Sequence, residues 1–345
     1  MLDVQRNPAG LGLQGQFSRV EIIGFGQAFL IVRNIKPRTF GDLSDEIQIF
    51  RCEIFGKGLN TCGYAIGVNR TETIRRAKAE AVERMCLRGG MLPVPEIGAT
   101  LDLFDSDNNP LSQCLINFNI DLQTNTAWTN SSGIASDTDP HLARLKARSE
   151  FIEHTVLTLL PFYHDIVKRT CDVNLDELDE IERLLALFLL NRGYALRLQT
   201  LELNEDTWIS FAEAYKADGW PDFIFGSAAH STRRNSCGNA IREILLTLAA
   251  RYDMILTRRT GSVNRRPESN TAAPLPCCPL TLTDLSISNA RGTLYQRNVL
   301  ARFDSGETLY VTRALLPHCI NRDSGLVTLP VRTRDLEDLF RDFRL

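Results

Sequence analysis

Residues 133–153 read GIASDTDPHLARLKARSEFIE. A glycine-bearing turn, Gly133-Ile134-Ala135-Ser136, runs into Asp139-Pro140, and a proline in the first helical turn opens a long helix to about Leu160. Leu145, Ile152, Val156 and Leu159 mark its apolar stripe, and Glu150 and Glu153, three residues apart, share one face. Glu153 falls at the edge of that stripe, where a carboxylate needs a cation or a donor. The pattern recurs at Gly226-Ser227-Ala228-Ala229, which precedes a helix over about Asn235–Arg251. In both copies the glutamate follows the glycine by 17 residues, Gly133 to Glu150 and Gly226 to Glu243. A looser copy has Gly58 some 22 residues before Glu80, in a helix carrying Glu80 and Glu83. Asn69 caps that helix with Glu72 three residues on, and Gly89-Gly90 closes it. Three glycine turns feeding three glutamate-bearing helices imply one site assembled from pseudo-equivalent parts.

Around this frame the chain reads as α+β. Val20–Ile23 and Phe29–Val32 alternate as strands, and Gly24-Phe25-Gly26 is a strand-to-strand bend, because Phe29 stands where a dinucleotide fingerprint needs its third glycine. Strands are expected at Thr100–Phe104, Leu115–Leu122, Tyr194–Leu203, Phe223–Phe225, Asn298–Phe303 and Thr308–Thr312. Further helices are expected at Leu175–Leu190 and in the charged segment that ends at Leu345. Helices and strands interleave without a βαβ rhythm, so mixed sheets rather than a doubly wound sheet are expected. Residues 1–345 are read as one domain, with a motif-bearing core over about 50–250, an exposed Arg/Ser/Asn/Pro-rich loop over about 257–279 and a C-terminal segment over 280–345.

Composition narrows the function. With 43% hydrophobic and 23% charged residues the 345-residue chain is of globular type, and a net charge of −3 argues against a nucleic-acid coat. Its longest apolar run, Leu184–Leu190, is far short of the roughly 20 residues a membrane helix needs. Met1–Arg6 has no apolar signal core, so a cytoplasmic protein with free thiols is expected. The nine cysteines form no Cys-x-x-Cys pair, the five histidines no zinc spacing, and no Gly-x-Ser-x-Gly elbow exists. Gly56-Lys57-Gly58 is no phosphate loop, since Arg51 stands at the first glycine position and no Ser or Thr follows the lysine.

The glutamates carry the chemistry. On a helical wheel Glu80 and Glu83 lie opposite Ile74, Ala77, Ala81 and Met85, and a solvated face with Arg84 paired to Glu80 is the simpler reading of that pair alone. Four or five converging carboxylates would instead repel unless hard cations offset them, and Mg²⁺ bridges carboxylates to substrate phosphates. The residues therefore point to a magnesium–nucleotide site built without a phosphate loop.

Three stretches resemble the YcaO-domain proteins. The first is Gly56-Lys57-Gly58-Leu59 with Ala77-Lys78-Ala79-Glu80-Ala81-Val82-Glu83-Arg84; the second is Ser131-Ser132-Gly133-Ile134-Ala135 with Glu150-Phe151-Ile152-Glu153. The third is Phe225-Gly226-Ser227-Ala228-Ala229-His230 with Arg242-Glu243. The resemblance implies a YcaO-like fold whose glutamate-bearing helices surround a Mg²⁺–ATP site. Metal ligands would be Glu80, Glu83, Glu150, Glu153 and Glu243, and ATP contacts Lys57, Glu80, Arg84, Ser132, Arg242 and Glu243. Ala77 and Ala147 replace the serines that open the first two motifs, Ser132 stands for a common asparagine, His154 for arginine, and Asn239 for the arginine four residues before Glu243.

The resemblance also implies the reaction. A nucleophile attacks a backbone amide of a ribosomally made precursor peptide, and ATP phosphorylates the oxyanion. Loss of phosphate leaves an azoline from Cys, Ser or Thr, a thioamide or an amidine. Cyclodehydration to thiazoline or oxazoline rings is the expected outcome, in thiazole/oxazole antibiotic biosynthesis. Phe340–Leu345 lacks the proline-rich tail of many ring-forming members, which favours the thioamide or amidine alternatives or a different base. Expected partners are the precursor peptide, a separate ubiquitin-activating-enzyme-like leader-binding protein and a flavin dehydrogenase, with no membrane and no nucleic acid. A degenerate subunit that scaffolds a true catalyst is the non-enzymatic alternative.

Overall fold

Phe25 between two glycines joins the first strands: Gly24 and Gly26 take φ of 89° and 102°, left-handed values that glycine adopts freely. β1 (Gln16–Ile22), β2 (Gly26–Asn34), β3 (Gln48–Gly56) and β4 (Leu59–Gly67) then pair antiparallel in chain order. Lys57 and Gly58, with φ of 47° and 79°, form the two-residue β3–β4 turn whose twist suits a hairpin. The computed structural model describes residues 16–35, 45–92, 133–159, 170–218, 221–258 and 294–315, residues 40 and 43, and the pairs 100–101, 103–104, 114–115, 118–119 and 281–282.

α1 (Arg70–Arg88) starts as expected, with the Asn69 side chain accepting from Glu72 N at 3.1 Å. Two-residue strands follow: β5 (Thr100–Leu101), β6 (Leu103–Phe104), β7 (Cys114–Leu115) and β8 (Phe118–Asn119). Next come β9 (Gly133–Asp137), α2 (Pro140–Leu159), β10 (Cys171–Asp172) and α3 (Glu180–Asn191). β11 (Ala195–Asn204), β12 (Thr207–Tyr215) and β13 (Phe223–His230) lead into α4 (Arg233–Arg258). β14 (Thr281–Leu282), β15 (Leu294–Gln296), β16 (Val299–Phe303) and β17 (Thr308–Leu315) complete the described chain.

The larger sheet runs β4-β3-β2-β1-β16-β17-β15-β6, with β9 also paired to β17, and a second runs β10-β11-β12-β13. Among the described residues every pairing is antiparallel, where mixed sheets were expected; hairpins join β1 to β4 in turn, β11 to β13 in turn, and β16 to β17. β4, β9 and β13 are all sheet edges among the described residues. Each carries one of the motif segments and feeds α1, α2 or α4.

Each helix buries a narrow stripe, α1 and α4 on the sheet of the strand that feeds them and α2 between both sheets, on β9 and β17 of the larger and β13 of the second. Ala77, Ala81, Val82 and Met85 of α1 join Leu30, Phe50 and Ile54 in one core; Ala147, Phe151 and Ile152 of α2 join Leu201, Ile209 and Ala229 in another. Ala240, Ile241 and Ile244 of α4 pack with Leu198, Ala212 and Ile224. A fully buried side chain such as Ile54 or Ile152 contributes about 1.5–3 kcal/mol.

Several expectations change. Leu175–Glu177 is a 3-10 turn, in which Asn174 N donates to Glu177 Oε1 at 3.1 Å, so the helix expected from Leu175 starts only at Glu180. β12 was not anticipated and β13 extends to His230. α4 continues through Thr257 and Arg258, the first residues of the expected loop. Residues 259–279, the final charged helix and residues 120–122 of an expected strand lie outside the described residues.

Candidate functional site

The motif glycines are not turns: Gly133 and Gly226 lie inside β9 and β13. A Cβ on Gly133 would stand 1.7 Å from the Ala147 carbonyl oxygen, and one on Gly226 would stand 2.3 Å from that of Ala240. The equivalent in the first unit is Gly63 of β4, not Gly58, since its Cβ would meet the Ala77 carbonyl oxygen at 2.3 Å. Gly63 precedes Glu80 by the same 17 residues, so the three units obey one rule. In each, a helix presses its backbone onto a strand glycine, and the glutamate one turn along emerges beside the strand edge. The signal was present in the sequence, but Gly58 stood closer to the motif lysine.

The carboxylates then follow a cyclic pattern. Glu80 Oε2 accepts Tyr64 N at 2.5 Å and Glu150 Oε2 accepts Ile134 N at 2.9 Å, so each takes the edge N–H directly after its own glycine. The second glutamate of each pair reaches the next unit. Glu83 Oε1 accepts Ser136 N at 2.6 Å and Ser136 Oγ at 2.9 Å; Glu153 Oε1 accepts Ser227 Oγ at 2.5 Å. Correspondingly α1 packs on β9, α2 on β13 and α4 back on β4.

All five glutamates are electrostatically joined. Glu83 feels Glu80; Glu150 feels Glu83, Glu153 and Glu243; Glu243 feels Glu80. Desolvation first, and this mutual repulsion second, push Glu83 and Glu243 up to about 7 and Glu150 well above the usual carboxylate range. Desolvation also raises Glu80, against the opposing pull of Arg84. Yet 30% of the Glu80 side chain and 34% of Glu150 remain accessible. Groups that solvent touches while protein surrounds them are the wall of a cleft, which overturns the solvated-face reading of Glu80 and Glu83.

The expected ATP contacts divide. Arg84 pairs with Glu80 and donates to the Cys62 carbonyl at 2.6 Å, at the site. Arg242 instead pairs with Glu182 of α3, a buried carboxylate that sits over Gly238. Lys57 is at the β3–β4 hairpin tip, its ammonium 5.1 Å from the centre of the Phe25 ring. Ser132 lies outside the described residues. Sequence reasoning missed Arg76, one turn before Glu80, whose charge acts on both Glu80 and Glu243. It also missed Asp137, which is 3% exposed and takes Lys146 Nζ at 2.5 Å and Arg75 Nη1 at 3.2 Å. Cys52, Cys62, Cys86, Cys171 and Cys237 are free thiols.

The donor set fits Mg²⁺. Every group in the ring is an oxygen donor, and raised carboxylates are groups that a cation would restore to the charged form. Among the described residues no three His, Cys, Asp or Glu side chains stand close enough to hold one ion unaided. That spacing suits a cation that takes one or two carboxylates and completes its shell with phosphate oxygens and water.

No family profile matches the sequence, nor does any curated protein. Solved structures do match. A chain of the E. coli Microcin synthetase McbBCD complex with pro-MccB17 bound aligns with a TM-score of 0.56 at 12% identity, covering 87% of this chain and 96% of that one. YcaO from Methanopyrus kandleri, bound with AMPPCP and Mg²⁺, aligns with a TM-score of 0.54 at 12% identity, over 88% of this chain and 89% of that one. The chain has the YcaO-like fold.

Proposed function

We propose that this protein is an ATP- and Mg²⁺-dependent enzyme of the YcaO kind that activates backbone amides of a ribosomally made peptide, with cyclodehydration of Cys, Ser or Thr to an azoline as the preferred outcome. The observation that carries the reading is the ring of five coupled glutamates held against three strand edges. The similar fold of a YcaO solved with AMPPCP and Mg²⁺, and of a microcin synthetase chain solved with pro-MccB17, supports it. Glu80, Glu83, Glu150, Glu153 and Glu243 would hold the metals. Bound Mg²⁺ supplies charge neutralisation on the phosphates during phosphoryl transfer. Ser136, Ser227 and the N–H groups of Tyr64 and Ile134 orient the carboxylates beforehand. A precursor peptide and a leader-binding protein are the proposed partners.

Two observations favour a second reading, a scaffold subunit: Asn239 is uncharged, and Arg242 is committed to Glu182. Calorimetric titration with ATP, with and without Mg²⁺, separates the two. Magnesium-dependent binding and ATP turnover are expected from the wild type. Glu150→Gln and Glu243→Gln should each abolish turnover while keeping the wild-type circular dichroism spectrum. Full turnover by either variant refutes the site, and wild-type binding without turnover in the presence of partner and peptide favours the scaffold.

A further inference from the structure

We propose that Arg76 receives a phosphate group of the nucleotide at the junction between the third unit and the first; the inference deepens the Mg²⁺–ATP reading and rests on it. The cyclic pattern isolates that junction. Glu83 spans the first junction and Glu153 the second, by bonds to Ser136 and Ser227. In α4 the corresponding position, three residues after Glu243, is Leu246, which is buried. α4 still packs on β4, so the third junction is closed but has no second carboxylate.

A cation stands there instead. One turn before the leading glutamate of each helix come Arg76, Lys146 and Asn239. Lys146 is tied to Asp137 at 2.5 Å, and Asn239 carries no charge. Arg84 is tied to Glu80 and the Cys62 carbonyl, and Arg242 to Glu182. Arg76 is half-buried, and among the described residues it has neither a hydrogen bond nor an ion pair. Its charge acts on α1 and α4 together, through Glu80 and Glu243. Burial and the nearby Arg242 lower its pKa, against the opposing pull of Glu243 and Glu72.

A half-buried guanidinium with no hydrogen-bond partner keeps its donors available, and an anion can accept two parallel N–H bonds from it. Phosphate matches the guanidinium fork. The ring thereby sorts charge: carboxylates at two junctions would hold metals, and a cation at the third would receive phosphate.

The test is calorimetry on wild type, Arg76→Gln and Arg76→Lys with a non-hydrolysable ATP analogue and with inorganic triphosphate, both with Mg²⁺. Loss of a charge-assisted contact should weaken both ligands by a similar factor, about ten- to hundredfold for the glutamine variant. Lysine should recover part of the loss and guards against a folding defect in the glutamine variant. A Mn²⁺ titration without nucleotide, followed by electron paramagnetic resonance, should find tighter metal binding in Arg76→Gln, an effect a merely structural role would not produce. Unchanged binding in Arg76→Gln, with binding lost in Glu150→Gln, overturns the role of Arg76 and leaves the nucleotide site standing. A wild type that binds neither ligand overturns both.

Discussion

Replacing Glu83 by glutamine should stabilise the ligand-free protein while destroying its response to magnesium and nucleotide. The amide keeps an oxygen to accept from Ser136 N and Oγ, so the β9 edge stays capped and only the charge is lost. In the folded state Glu83 titrates at about 7 against 4.5 unperturbed, mainly through desolvation. The native state therefore holds its proton more tightly between pH 4.5 and about 7, and stability falls as pH rises through that window. At about 1.4 kcal/mol per pH unit the full shift is worth roughly 3 kcal/mol above pH 7, which solvent in the cleft reduces to about 1–2 kcal/mol. Thermal unfolding at pH 8 should then find Glu83→Gln roughly 2–4 °C more stable than wild type, and at pH 4.5 nearly equal to it. Mg²⁺ with nucleotide should raise the wild-type midpoint and leave the variant unmoved. A variant less stable than wild type at both pH values, or one with an undiminished ligand-induced shift, would refute the reasoning.

The glycine contacts predict a ranking: Gly133→Ala, whose Cβ would stand 1.7 Å from the Ala147 carbonyl oxygen, should lose about 3 kcal/mol or more in denaturant unfolding. Gly306→Ala, at φ 84° with open space around it, should lose only about 1 kcal/mol. Asp137 is raised by burial but pulled down to about 2 by Lys146 and its neighbours, against 3.8 unperturbed. Its contribution, about 1–2 kcal/mol, is present above pH 4 and lost as pH falls towards 2, so Asp137→Asn should be less stable than wild type at pH 7 and converge with it in urea titrations at pH 2. Magnesium affinity should rise between pH 6 and 8 with proton release, because Glu83 and Glu243 both titrate at about 7; pH-independent binding in calorimetry would contradict this.

Local signals carried much of the architecture. Asn69, Glu72 and Gly89 bounded α1, Asp139-Pro140 opened α2, and two of the three 17-residue intervals stood in plain view. What stayed hidden depends on contacts distant in sequence. Glu80 and Glu83 look solvent-facing on a wheel, since only the arrival of β9 and α4 encloses them. Arg242 reads as a phosphate contact until Glu182, 60 residues away, takes it. Gly63 sits in the unremarked Thr61-Cys62-Gly63-Tyr64, and only the backbone of α1 lying across it reveals why no side chain fits.

The missing serines bear on whether the site is degenerate. Ala77, Ala147 and Ala240 occupy one position, three residues before the leading glutamate, and all three are fully buried. Each presses its carbonyl against a strand glycine, in a seam with no room for a Cβ. A hydroxyl in that seam would need a hydrogen-bond partner or forfeit its hydration. Three alanines in register are therefore a consistent packing solution, whereas random decay would spoil one unit and spare another. The features around the seam that differ between units, Leu246 in place of a carboxylate and Arg76, Lys146 and Asn239 at one position, do so in the direction of charge sorting. A ring that had lost its ligand would gain stability by replacing its five mutually repelling glutamates, as the Glu83→Gln prediction quantifies. Their joint presence at a stability cost is the physical argument for a cation-dependent site over a relic.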